Sequence, residues 1–123
     1  MNQPLDPNRL LSRFTAYQAA LDAFRLTVVA SRRWRGFRRL VDQALGAAGS
    51  VAHNLAEGNA HAPGSAERRR YQRIALDLAE ALELESALDA AAAAGIGDAA
   101  ELAAARAAAG RTAALVTALC RRR

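Results

Sequence analysis

Lysine is missing from this 123-residue chain: all 17 of its basic residues are arginine, set against 12 acidic ones. Cysteine is nearly missing too. The single thiol, Cys120, cannot close an intrachain disulfide, which excludes a disulfide scaffold and points to a reducing compartment. Proline is confined to Pro4, Pro7 and Pro63, so long stretches are free to run as helix. Strand signals are absent, and no apolar run approaches the roughly 20 residues of a membrane span. Residues 2–7 are polar and proline-broken, without the pattern of a signal peptide, so a soluble cytoplasmic protein with no membrane partner is the expectation. The only histidines, His53 and His61, have no cysteine or carboxylate at metal-ligand spacing, and a surface or loop role is expected for both. His53 and Glu57 could pair as acid and base, but no nucleophile or phosphate loop accompanies them. No catalytic residue, metal, cofactor or small-molecule substrate is therefore expected.

What the chain does have is apolar residues at helical spacing. With 52% hydrophobic and 24% charged residues and a 3.6 period nearly throughout, it reads as one all-α domain spanning 1–123. Much of the apolar content is alanine, which buries little area. About two dozen larger side chains, worth roughly 1.5–3 kcal/mol each, must then make the core, and a lone subunit is expected to be marginally stable.

Four helices are expected, over about 7–32, 37–57, 66–94 and 98–119. Their short connections predict an antiparallel up-down-up-down four-helix bundle. Asp6 and Pro7 should start the first helix, whose seam of Leu10, Phe14, Tyr17, Leu21, Phe24 and Val28 alternates spacings of four and three. The second helix turns Phe37, Leu40, Val41, Ala44, Leu45, Ala48, Val51, Ala52 and Leu55 toward the core, and Gly58 is expected to end it as a left-handed cap. Gln43, Ala47, Ser50, Asn54 and Glu57 form a polar stripe beside that face. A third line, Asp42, Gly46, Gly49 and His53, suggests close approach by another backbone at its glycines. Ser65 should cap the third helix, which carries Tyr71, Ile74, Leu78, Leu82 and Leu88 inward. Asp98, after the Gly95, Ile96 and Gly97 turn, should cap the fourth, which holds Leu102, Leu115, Val116 and Leu119.

The order Leu40, Gln43, Ser50, Asn54, Leu55, Ala56, Glu57, Gly58 resembles the S-I/V-x-x-N-I/L-A-E-G signature of the four-helix-bundle family that includes proteins encoded in intervening sequences of bacterial 23S ribosomal RNA. The resemblance extends more loosely through the run from Arg68 to Tyr71 and the leucine-rich helix after it. Leu45 and Gly46 stand where the family commonly has a basic pair, and Ala60 and His61 where it has Gly-Arg. The resemblance implies an up-and-down bundle that assembles as a ring, typically a homopentamer, with no established enzymatic activity. A related bundle, an accessory factor of reverse transcriptases in diversity-generating retroelements, binds nucleic acid. For the signature positions Gln43, Ser50, Asn54, Glu57 and Gly58, a hydrogen-bonded seam between helices or subunits is favoured over a ligand contact.

Arginine's planar fork suits phosphate or carboxylate, although a GC-rich genome would also enrich it. In the first connection Trp34 lies among arginines. It could stack a base between phosphate clamps, but packing over the end of the bundle is favoured. The third helix sets Arg68, Arg69, Arg70 and Arg73 before Asp77, Glu80, Glu83, Glu85 and Asp89, an order that opposes the helix dipole. In the expected bundle, one end gathers Arg9, Arg13, Arg68, Arg69, Arg70, Arg73, Arg121, Arg122 and Arg123 against Asp6, Glu57 and Glu67. At the other, Arg32, Arg33, Arg35, Arg38 and Arg39 meet the acidic half of the third helix with Asp98 and Glu101, and the charges should largely cancel, within one subunit or between two. The expected function is an oligomer that holds RNA or DNA backbone on Arg68, Arg69, Arg70, Arg73, Arg121, Arg122 and Arg123. The rival is a scaffolding oligomer that presents a ring surface to a protein partner.

Overall fold

The computed structural model describes residues 14–77 and 83–121. Among them are five α-helices and no strand: α1 (Thr15–Ser31), α2 (Arg38–Asn59), α3 (Ala66–Leu76), α4 (Leu84–Ala94) and α5 (Ala99–Arg121). The all-helical expectation is met. Helix α1 packs on α2 and α5, α2 packs also on α3 and α4, and both α3 and α4 lie against α5. The one helix expected over 66–94 is described as two, the second starting behind Glu83, which makes no side-chain cap bond. The stretch between them includes residues 78–82, which lie outside the described residues. Asp6, Pro7, Leu10, Leu78 and Leu82 lie outside the described residues.

The buried face of α1 is not its line of large residues. Ala16, Ala19, Ala20, Ala23, Thr27 and Ala30 are buried, while Leu21 and Phe24 are 43% and 37% exposed and Phe14, Tyr17 and Val28 are half-buried. The opposing helix α5 buries Ala105, Ala109, Thr112 and Ala113. Two small-residue faces let helix axes come close, so dense contact replaces bulk as the source of attraction. Buried Thr27 and Thr112 donate their hydroxyls one turn back, to the carbonyls of Ala23 at 2.7 Å and Ala108 at 2.8 Å. Neither donor is left orphaned in the core.

Two apolar clusters stack along the molecule. In one, Ala30 and Trp34 meet Ala44 and Ala48 of α2, Leu84 and Leu88 of α4, and Leu102 and Ala105 of α5. In the other, Ala16 and Ala20 meet Val51 and Leu55, Ala75 of α3, and Val116. The end of α1 thus faces the start of α2, and the two run in opposite directions. The predicted core face of α2 is buried at Ala44, Ala48, Val51, Ala52 and Leu55, but Phe37 at its start is 43% exposed.

Local capping follows the sequence. Ser65 Oγ accepts from the Arg68 amide at 3.2 Å, Asp98 Oδ1 accepts from the Glu101 amide at 2.9 Å, and Gly95 closes α4 in the left-handed region at φ +67°. Gly58 does not cap α2. The helix continues through Asn59 to Ala60 at φ −74°, and Gly58 is buried against α3, where a Cβ would lie 3.0 Å from Tyr71 Cβ and 3.4 Å from the Arg68 carbonyl. The close approach expected at Gly46 and Gly49 is made here instead. Among the described residues Gly46 has nothing within 4 Å, and Gly49 meets the Phe24 ring at 3.5 Å. Among the described residues no helix is long and apolar enough to cross a membrane.

Candidate nucleic-acid interface

At the end of the molecule where α2 meets α3, the inverted charge order of α3 has a partial structural cause. The half-buried Arg68 guanidinium donates to Asn59 Oδ1 at 2.6 Å and to the His61 carbonyl at 3.3 Å, and Arg69 donates to the Gly64 carbonyl. Both fasten the 59–65 connection to the helix that follows it. His61 stacks on Tyr71 with ring centroids 5.5 Å apart and planes 14° from parallel. Charge-assisted bonds to that connection offset the unfavourable dipole contact.

Arg70 and Arg73 have no such role. Both are exposed, as is Arg121 at the end of α5, and none has a partner among the described residues. Arg121 belongs to this end because Val116, Leu119 and Cys120 join the cluster that contains Ala75 of α3. Arg9, Arg13, Arg122 and Arg123 lie outside the described residues. Of the acids, Glu57 faces His53 at 3.9 Å, both exposed, and Glu67 occupies the first turn of α3, where the dipole favours it.

The signature positions divide. Asn54 is half-buried, and its Nδ2 donates to the Ser50 carbonyl at 2.8 Å, one turn back in the same helix. Gln43 and Glu57 are exposed, and Ser50 is half-buried. Among the described residues, then, no side-chain hydrogen bond from this stripe joins α2 to another helix of the protomer. The contact the signature does make between helices is steric, Gly58 against Tyr71.

The opposite end meets expectation at Trp34 and departs from it in its charges. Trp34 is 2% exposed and packs into the core, with Gly97 pressed on it: at φ +76°, a Cβ on that glycine would lie 2.8 Å from the indole Nε1. The packing expected of Trp34 is what is found, and its buried N–H has no hydrogen-bond partner among the described residues. The charges, however, cancel only in part. Arg33 pairs with Glu101 at 3.0 Å and Arg38 with Asp42 at 3.5 Å, while Asp98 spends its carboxylate on the α5 cap. Asp89 is taken by Arg106 at 2.8 Å, and Glu83 and Glu85 stand at the far end of α4, whose last turn is alanine. Arg32, Arg35 and Arg39 are left exposed with no partner among the described residues.

Phe37, assigned from the sequence to the core, lies exposed among these arginines. Its position directly after Gly36 and between Arg35 and Arg38 was the available signal. Among the described residues no group of three histidine, cysteine, aspartate or glutamate side chains is placed to hold a metal ion. Compared with protein-family models, with curated proteins and with solved structures, the chain matches none.

Proposed function

We propose that this protein is a non-enzymatic, cytoplasmic binder of RNA or DNA backbone. It holds phosphates on arginines at the ends of an antiparallel four-rod bundle in which α3 and α4 together take the place of one rod. The observation that carries this is the set Arg70, Arg73 and Arg121, exposed and unpartnered among the described residues, with Arg122 and Arg123 next in sequence. Guanidinium groups that no fold contact uses are suited to phosphate, and such contacts position a nucleic acid without reading its sequence. The resemblance of the Ser50 to Gly58 stretch to a bundle family with a nucleic-acid-binding relative supports the same function. Filter binding in a salt series tests it. Affinity should drop by orders of magnitude between about 50 and 200 mM salt, and absence of binding at the lower value, or binding indifferent to salt, refutes it.

A second function, a self-assembled scaffold, is favoured by a different observation. Leu21 and Phe24, 43% and 37% exposed, border an open hollow of about 320 Å³ with Tyr17, Gly49 and Ala52. Copies of the chain would cover that surface, five of them if the family resemblance extends to assembly. Light scattering decides the mass, and Leu21→Glu should lower it to that of one chain.

A further inference from the structure

We infer that the α1–α2 connection is a single-strand contact, in which an unpaired nucleobase stacks on Phe37 while its flanking phosphates lie on Arg35 and Arg39. This rests on the nucleic-acid function proposed above and names the form of nucleic acid that the second arginine-rich end would take.

The connection is built to hold Phe37 outward. Trp34 anchors it in the core, its amide bonded to the Ser31 carbonyl at 3.0 Å, and the Phe37 amide returns to the Trp34 carbonyl at 3.2 Å. Between them Gly36 adopts φ +85°, a left-handed turn that a side chain would resist. The chain therefore leaves the core at Trp34 and reverses at Gly36. It enters α2 from Phe37, which is 43% exposed. Two backbone bonds and a buried indole fix where the backbone presents Phe37, and its exposure leaves a ring face open for stacking.

Beside that ring lies an open hollow of about 470 Å³, floored by Leu40, Ala90 and Ala94 and bordered by Arg38, Arg39 and Gln43. Its chemistry fits a base better than a protein side chain. Its apolar lining, Leu40 with Ala90 and Ala94, puts no branched or bulky side chain on the α4 side. Gln43 is exposed on its rim with a carboxamide that can both donate to and accept from a base edge. On this rim Arg39 has no acidic partner among the described residues, and Arg38 is held only loosely by Asp42, at 3.5 Å with both side chains largely exposed; Arg35, also without a partner among the described residues, precedes Gly36 and lines the adjacent hollow with Arg32, Arg33, Gly97 and Asp98. This uncancelled positive rim selects an anionic occupant, and the aromatic face selects one with a π system. A strand of RNA or DNA with unstacked bases has both, whereas a duplex hides its base faces.

The test compares a fluorescently labelled oligothymidylate of about 12 nucleotides with a duplex of the same length, by anisotropy at low salt. Phe37→Leu keeps an apolar side chain at an exposed position but removes the ring face. It should weaken binding of the single strand about tenfold and leave duplex binding within about twofold. A strand carrying 4-thiothymidine should photocrosslink to the peptide that contains residues 36–38. Equal affinity of Phe37→Leu and wild type for the single strand overturns this inference alone, as does crosslinking confined to the α2–α3 end. Failure of the wild-type chain to bind either probe overturns the nucleic-acid function with it. If Phe37→Asp changes the oligomeric mass and leaves strand binding intact, the hollow seats another protein chain and the inference is wrong.

Discussion

At the scale of single residues, the glycines separate what local sequence encodes from what only tertiary contact decides. Ser65 and Asp98 are legible as caps, and Gly95 as part of a turn, because each is a relation between a residue and the few beside it. Gly58 is not, because the same residue type can end a helix or admit a neighbour, and the neighbour, Tyr71, comes from another element. The difference predicts opposite signs. Gly46→Ala, with open space around it, should stabilise the fold by about 1 kcal/mol through helix propensity, whereas Gly58→Ala should destabilise it by about as much because α3 must shift. Chemical denaturation of the two variants checks the pair. Gly97→Ala should cost more than either, on the order of 1–3 kcal/mol, because it combines a left-handed backbone with a Cβ set 2.8 Å from Trp34. Trp34 is the only tryptophan, so its emission reports displacement of the indole directly.

At the scale of the element, α1 is the instructive case. Its 3.6 period is legible, but two apolar stripes share that period, and hydrophobicity alone points to the larger residues. The structure buries the alanines, because α5 also presents alanine and threonine and the two helices gain more by approaching closely. Substitution distinguishes the stripes. Ala23→Leu should destabilise by about 1–3 kcal/mol through overpacking, and Leu21→Ala should change stability by well under the roughly 2–5 kcal/mol of a core truncation. Thermal melts with the reverse order would put the line of large residues back in the core. The charge order of α3 is partly accounted for at this scale too, since Arg68 and Arg69 bind the connection before it. That role cannot be read from the sequence, because carbonyl groups of a loop carry no side-chain signature.

At the scale of the whole molecule, the chain presents arginines at two ends that have no acidic partner among the described residues. Within the protomer and among the described residues, cancellation at the Trp34 end is incomplete, because the described acids of α4 sit toward its start while alanines near its end border Phe37. Exposed charges contribute little to folding, so replacing the unpartnered arginines should leave stability almost unchanged. The most direct measurement is the salt dependence of nucleic-acid affinity for wild type and for the triple variant Arg70→Gln, Arg73→Gln, Arg121→Gln. The variant should melt as wild type does, yet bind more weakly, with a log–log salt slope shallower by about 2 to 3, since each phosphate that an arginine neutralises adds about 0.7–0.9 to the slope. An unchanged slope and affinity in a folded triple variant would contradict the account.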